Sequence, residues 1–174
     1  MKISETVYDG KLVKVVRRFE EGSPQRFLEI VRHPGAAAVV ALTRSGKLLL
    51  VSQYREATGG VMLEIPAGKL EPGERPETCA CRELEEETGY RAGSLEELCS
   101  MFMSPGYCDE KIHIFAAADL EPSVANPDDD EEVAPVEVEV EEAMRMIDDG
   151  RIQDAKTVAG ILEFVRKKKW SLSR

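Results

Sequence analysis

The sequence lacks the usual signals of a membrane or exported protein. No run within its 174 residues approaches the roughly 20 consecutive apolar residues of a membrane-spanning helix. The amino-terminal segment has no apolar core of the kind that a secretory signal carries. The four cysteines therefore do not suggest a disulfide framework, and we expect a cytoplasmic protein with reduced thiols.

Positive charge is also scarce. Lysine and arginine number 23 against 33 aspartates and glutamates, which gives a formal net charge of −10. Nucleic acids and anionic membranes attract proteins through a positive field, so we expect neither as a partner. Uncompensated carboxylates would also repel an anionic small-molecule substrate, and a bound divalent cation would remove that repulsion.

The chain shows no repeats and no low-complexity segments, and its length suits one domain with a short extension. Short strand patterns and turns fill residues 1–38, which we interpret as an N-terminal β extension. Residues 39–174 mix strand and helix patterns, which indicates an α/β body. The turn sequence His33-Pro34-Gly35 precedes the apolar run that opens this body.

The segment between Pro76 and Gly89 predicts a helix with an acidic face, since it contains only good or neutral helix formers. On a helical wheel Glu83, Glu86 and Glu87 share one face, and no basic partner is expected there. Carboxylates this close repel one another, and hard oxygen ligands on a rigid element suit Mg²⁺, with Mn²⁺ as a substitute. A solvated acidic face is the alternative that composition alone leaves open.

The spacing of nine residues around these glutamates forms a recognisable motif. The motif is G-x5-E-x7-R-E-U-x-E-E-x-G-U, where U is a bulky apolar residue. The matching positions are Gly68, Glu74, Arg82, Glu83, Leu84, Glu86, Glu87, Gly89 and, as an aromatic last position, Tyr90. The pattern resembles the Nudix box of the Nudix hydrolases.

The resemblance implies a Nudix fold, which is a mixed β-sheet sandwiched between helices, here with a small N-terminal antiparallel β extension. It also implies metal-activated water attacking a pyrophosphate linkage. In the family's pattern the carbonyl of Ala67 and the carboxylates of Glu83 and Glu87 hold the metal. Glu86 is an added ligand or a base, while the pair formed by Arg82 and Glu74 braces the loop against the helix.

Flanking stretches resemble the ADP-ribose pyrophosphatase branch of the family. The segment "EIPAGKLEPGE" leads into the box, and Pro105 of "SPGYCDE" stands sixteen residues after Gly89. The resemblance implies that Arg55 contacts phosphate, that Glu110 meets the terminal ribose and that the backbone at Gly106 lies close to the ligand. It also implies a substrate role for Glu29, although Leu28 precedes it where the branch often carries arginine.

The acidic run from Asp128 to Glu132 resembles the loop that brings a late carboxylate over the diphosphate. Glu131 aligns best as the general base, with Asp129 and Glu132 as rivals. Neither His33 nor His113 is assigned to chemistry.

The resemblance implies a nucleoside-diphosphate sugar as substrate, cleaved for ADP-ribose to AMP and ribose 5-phosphate. Tyr107, eighteen residues after Gly89, resembles the dinucleoside-polyphosphate branch and keeps that substrate open, as does GDP-mannose. A non-catalytic nucleotide-sensing module is the alternative of another class, but all the box carboxylates are retained. Members of the branch commonly pair as homodimers through the N-terminal sheet, and residues 1–38 are too few to hold a core alone.

Overall fold

The structure is a computed structural model that describes residues 1–126 and 132–172. Within these ranges the chain forms strands and helices in the following order. They are β1 (Lys2–Asp9), β2 (Lys14–Glu20), β3 (Phe27–Arg32), β4 (Ala36–Leu42), β5 (Leu48–Arg55), β6 (Gly60–Glu64), β7 (Ala67–Lys69), α1 (Pro76–Thr88), β8 (Tyr90–Arg91), β9 (Ser94–Phe102), β10 (Lys111–Ala118), β11 (Glu121–Pro122), β12 (Val133–Val138), α2 (Val140–Asp148) and α3 (Ala155–Leu172).

The body is built on a mixed sheet with the strand order β12-β5-β4-β10-β9. Strand β6 extends this sheet beside β5, and β7 pairs with β4. The β4 and β10 strands run parallel, whereas the other pairs of the sheet are antiparallel. The apolar run "AAAVVAL" forms the central strand β4, as expected for a strand that is covered on both faces.

Helices cover both faces of this sheet. Alternate residues of a strand point to opposite sides, so β4 contributes to the core on each face. Ala37 and Val39 of β4 pack in one core with Leu84 of α1. Val40 belongs to the other core, where Ile161 of α3 packs. The predicted sandwich of a mixed sheet between helices is therefore confirmed.

Local sequence signals mark both ends of α1 and the start of α3. Pro76 occupies the first turn of α1, and Gly89 ends that helix in the left-handed conformation with φ 72°. At the start of α3 the Asp154 carboxylate accepts a hydrogen bond from the Thr157 N–H at 2.9 Å. No helix in the described part of the chain is both long and apolar enough to cross a membrane.

The N-terminal extension is an antiparallel sheet of β1, β2 and β3. The predicted extension ends at residue 38, whereas the observed N-terminal sheet ends at Arg32 and β4 already begins at Ala36. The reason is that the alanines after Gly35 are buried core residues of the body. Strand β3 is attached to the body where the Val31 N–H donates to the Tyr107 carbonyl at 2.7 Å.

Candidate active site

Helix α1 presents its acidic face from a firmly packed position. The predicted packing residues Ala80, Leu84 and Thr88 are buried against the sheet. As a result Glu83 and Glu87 are only 8% and 3% exposed, although each carries a carboxylate. Glutamates this buried require compensating partners, which marks them as more than a solvated face.

The backbone of β7 lies directly against these carboxylates. A Cβ atom placed on Gly68 would lie 1.9 Å from Glu83 Oε1, so any side chain there would displace the Glu83 carboxylate. The Ala67 N–H donates to Glu87 Oε2 at 3.1 Å, which brings the Ala67 backbone beside the same helix. Ala67 and Gly68 belong to the short strand β7, which pairs with β4.

The donors gathered here have the chemistry that a hard divalent cation requires. Carboxylate oxygens of Glu83, Glu86 and Glu87 and the backbone of Ala67 suit Mg²⁺ or Mn²⁺. Within residues 1–126 and 132–172 no set of three or more His, Cys, Asp or Glu side chains forms a metal cage on its own. A cation at this place would therefore complete its coordination with backbone, water or substrate oxygens, as Mg²⁺ commonly does.

Arg82 ties the box together. Its Nε and Nη2 atoms lie 3.0 and 3.1 Å from the two carboxylate oxygens of Glu74, which is the predicted bracing contact. Its Nη1 lies 2.7 Å from Glu83 Oε1 and 2.9 Å from Glu86 Oε2. The expectation of an acidic face without a basic partner is therefore wrong. The long Arg82 side chain extends to the next turn of the helix and contacts Glu86 there.

The same contacts set the charge state of the brace. Hydrogen bonds from the Arg82 guanidinium lower the pKa of Glu74, and burial opposes this only in part. The pKa of Arg82 is raised in turn, first by the hydrogen bonds to Glu74. Both groups are thus ionised at neutral pH, and Arg82 offsets part of the repulsion among the box carboxylates.

The box shares its cavity with a basic wall, which Arg55 and Lys156 form around a buried glutamate that the sequence does not mark as a site residue. Glu64, at the end of β6, is 2% exposed. Arg55 Nε and Nη2 lie 2.7 and 2.8 Å from its two oxygens, and Lys156 Nζ donates to Oε2. Burial would raise the pKa of Glu64, but the hydrogen bonds and charges of Arg55 and Lys156 lower it to about 2.

The acidic face of α1 and the loop before it form an acidic wall. This wall and the basic wall line one cavity of about 330 Å³. Of the residues predicted for the site, six line it: Arg55, Ala67, Arg82, Glu83, Glu86 and Glu110. Lys156 and His33 also line it. His33 Nδ1 accepts the Gly35 N–H at 3.1 Å and lies 3.9 Å from Glu110 Oε1, so it lies at the rim next to a predicted substrate residue.

Two of the predicted substrate residues lie elsewhere. Glu29 and Gly106 line a separate depression of about 220 Å³ between β3 and the loop that precedes β10. Asp109 belongs to this depression, whereas the next residue, Glu110, belongs to the cavity at the box. Adjacent residues of one loop therefore line the two separate concavities.

Most of the acidic run predicted to supply the general base lies outside the described residues. Asp128, Asp129 and Glu131 lie outside the described residues, while Glu132 is exposed. Before the run, the Asn126 N–H donates to the Glu86 carbonyl at 2.9 Å. The chain that enters the acidic run is therefore hydrogen-bonded to a residue of the box.

Glu85 is the first of three consecutive glutamates on α1 (the triplet), and its contacts lie away from this site. Glu85 Oε1 accepts hydrogen bonds from Ser123 Oγ at 2.6 Å and from Arg91 Nε at 2.8 Å. A larger cavity of about 720 Å³ lies between α3 and strands β9 and β10, and among the described residues Glu96 is the only acidic one that lines it. The chemistry of the box therefore belongs to the smaller cavity.

Comparison with known proteins agrees with this geometry. A family model described as the NUDIX domain matches residues 31–161. An ADP-ribose pyrophosphatase of Bacillus subtilis is 46% identical, over 90% of this chain and 87% of that protein. A methanol dehydrogenase activator of Bacillus methanolicus is 44% identical, over 91% of this chain and 88% of that protein. A GDP-mannose pyrophosphatase of Yersinia enterocolitica is 38% identical, over 78% and 76% respectively.

The fold has a solved counterpart as well. The crystal structure of an ADP compounds hydrolase superposes with a TM-score of 0.82 at 26% identity, covering 97% of this chain and 93% of that one. The family model covers most of the sequence, and every charged position of the box is present. The chain is therefore an enzyme of the Nudix family of hydrolases.

Proposed function

We propose that this protein hydrolyses the pyrophosphate bond of ADP-ribose, or of a closely related nucleoside-diphosphate sugar, with the help of Mg²⁺. The products from ADP-ribose would be AMP and ribose 5-phosphate. The observation that carries the proposal is the pairing of two walls in one cavity. Glu83 and Glu86 of the acidic wall line this cavity together with Arg55 and Lys156 of the basic wall.

The two walls divide the work on a diphosphate. Arg55 and Lys156 attract and orient the phosphate oxygens, because cations held in place need no rearrangement when the substrate arrives. Carboxylates of Glu83 and Glu87, with the Ala67 backbone, would hold the cation. When bound, that cation lowers the pKa of a coordinated water and withdraws charge from the phosphate oxygens.

A proton must leave the attacking water, and a carboxylate has to accept it. Glu86 lines the cavity and is one candidate for this base. Glu131 is the other, as the resemblance of its loop suggests. Arg82 and Glu74 support the reaction indirectly, because they fix the loop between β7 and α1 against the helix.

Glu110 and Glu29 would contact the two ends of the substrate. Glu110 lines the box cavity and suits the hydroxyl groups of the terminal sugar, since ionised carboxylates accept hydrogen bonds from hydroxyls. Glu29 and Gly106 lie in the adjoining depression, where the nucleoside end would be recognised.

We propose that the active form is a homodimer built through the extension. Apolar side chains of Val7, Tyr8, Leu12, Phe27 and Leu28 are exposed on it, and a second copy would cover them. Deleting residues 1–32 should then release monomer and raise KM for ADP-ribose at least tenfold, while metal binding at the box persists. Light scattering beside kinetics measures both effects, and a full-length monomer with normal kinetics would refute the dimer.

The experiment for the reaction is a substrate panel with the products separated by chromatography. ADP-ribose should give AMP and ribose 5-phosphate with the highest kcat/KM. GDP-mannose is the runner-up, because relatives named for that activity match the chain. A panel in which diadenosine polyphosphate is the best substrate would instead favour the reading suggested by Tyr107.

A further inference from the structure

Glu64 occupies an unusual position for a carboxylate. It lies behind the cavity rather than in its lining, and its side chain is almost fully buried. Burying a charged carboxylate costs several kcal/mol unless it is paired and hydrogen-bonded. Such a cost is more readily explained if the buried charge organises neighbouring groups.

The partners of Glu64 come from two distant parts of the chain. Strands β5 and β6 form a hairpin in which Arg55 pairs with Gly60 and Val51 with Glu64. Arg55 and Val51 therefore point to the same side, so the guanidinium reaches back along the strand to Glu64. Lys156 approaches from the first turn of α3, 92 residues further on.

A second set of contacts makes this arrangement rigid. The Ile65 N–H donates to Thr157 Oγ1 at 2.9 Å, which joins the residue after Glu64 to the residue after Lys156. Asp154 accepts from Thr157 Oγ1 at 2.6 Å and lies 3.0 Å from Lys156 Nζ. The end of β6 and the start of α3 are thus connected by the Ile65–Thr157 hydrogen bond beside the Lys156–Glu64 pair, and Asp154 holds both Lys156 and Thr157.

The positive groups of this cluster line the cavity, and the negative groups do not. Arg55 and Lys156 line the cavity, whereas Glu64 and Asp154 do not. The two positive and two negative charges cancel in number, yet the positive ends of both pairs face the space where a substrate would sit. Fixed dipoles of this kind stabilise negative charge without having to reorient.

We infer that Glu64 is a positioning residue, which holds the Arg55 guanidinium and the Lys156 ammonium together at the spacing needed to bind the two phosphates of the substrate. Glu64 does not touch the substrate; it acts through the two cations. This inference rests on the proposed diphosphate hydrolysis, and it assigns the buried carboxylate to ground-state binding rather than to the reaction step.

Two substitutions test the inference in the full-length protein. In Glu64→Gln an amide N–H₂ replaces one carboxylate oxygen and confronts a donor of Arg55 or Lys156, which pushes that cation away. In Glu64→Asp the charge remains, so the buried cations keep a counter-ion, but the shorter side chain cannot reach both. The control is Glu163→Gln, which removes a carboxylate paired with Arg166 on the exposed side of α3.

Both Glu64 variants should raise KM for ADP-ribose about tenfold or more, with kcat within about threefold of wild type. This split follows because uniform binding of the phosphates affects KM and leaves kcat unchanged. Mn²⁺ affinity, measured by electron paramagnetic resonance, should stay unchanged in the variants and in the control. In a Lys156→Met background, Glu64→Gln should raise KM by a smaller factor than it does in the wild-type chain.

The outcomes separate the inference from the proposed function. A folded Glu64→Asp or Glu64→Gln protein with wild-type KM would overturn the inference, as would loss of kcat at unchanged KM. If Glu64→Gln does not fold, Glu64→Asp alone decides. Wild-type protein without activity on any nucleoside-diphosphate sugar would instead refute the proposed function, while the Mn²⁺ titration would still report on the box.

Discussion

The acidic and basic walls of the cavity are built in opposite ways. The acidic wall comes from a single helix and the loop before it, and one arginine, Arg82, connects three of its carboxylates. The basic wall comes from β5, β6 and α3, and one buried carboxylate, Glu64, connects its two cations. Each wall thus uses a single residue of opposite charge to hold like charges close together.

Substitutions in the two walls should therefore affect different kinetic constants. A change in the acidic wall alters the place where the cation and the attacking water would be held, so it should reduce turnover. A change in the basic wall alters only how the diphosphate is held, so it should weaken substrate binding. The predictions below test this difference.

The largest effect should follow from Glu83→Gln or Glu87→Gln. Each neutralises a carboxylate that would hold the cation, and kcat should fall by at least about 10³-fold, on the scale of lost transition-state stabilisation. The fold should persist, because the substitution also removes like-charge repulsion on α1. The matched control is Glu85→Gln in the same triplet, whose side chain contacts Ser123 and Arg91 instead of the cavity. Equal losses in all three variants, measured by steady-state kinetics, would contradict a role for the acidic face in particular.

A smaller loss is expected for Arg82→Lys. Lysine keeps the charge but cannot bind Glu74 with two parallel hydrogen bonds while also reaching Glu83 and Glu86. We expect kcat/KM to fall about 10- to 100-fold, the usual cost of losing a group that orients metal ligands. Titration with Mn²⁺ should show weaker binding. Unchanged metal affinity would show that the brace does not support the cation site.

A substitution in the basic wall should raise KM and leave kcat nearly unchanged. Lys156→Met keeps much of the side-chain length and removes the ammonium, and KM for ADP-ribose should rise about tenfold at nearly constant kcat. Mn²⁺ affinity should not change. A large drop in kcat without a rise in KM would mean that the two walls do not divide the work as described.

These two walls also differ in how far the sequence predicts them. The box residues lie between Gly68 and Gly89, where helical spacing alone brings Glu83, Glu86 and Glu87 to one face. The fold class follows from the same kind of local signal, since the apolar run of β4 and the hairpin to β5 are evident from periodicity. Helical spacing thus predicts which glutamates share a face, but it does not predict that Arg82 pairs with Glu83 and Glu86.

Glu64 was missed because its meaning depends on tertiary contacts. In the sequence it is one charged residue at the end of an apolar segment, and its partner Lys156 is 92 positions away. A signal was present: a glutamate directly before the buried Ile65, in a strand whose other residues are apolar. Such a residue either ends the strand in solvent or is buried with a counter-ion, and only the fold decides between these outcomes.

The smallest expected effect concerns pH. The folded-state pKa of Glu64 is lowered to about 2, so its ion pairs contribute stability that is fully present above its unfolded pKa and is lost as pH falls toward 2. The difference in unfolding free energy between wild type and Glu64→Gln should therefore shrink as pH is lowered from 6 to 4. Urea titrations at each pH measure it. A difference that grows with acidity would have the wrong sign for an ionised Glu64.

The central claim is that a divalent cation held at the acidic wall is needed for cleavage of the pyrophosphate bond. The most direct measurement is the rate of ADP-ribose hydrolysis by exhaustively chelated protein as Mg²⁺ is added back, with Glu85→Gln as the control. The account predicts no cleavage without the cation and a saturable recovery in both proteins. Cleavage that survives complete chelation at the original rate would contradict it.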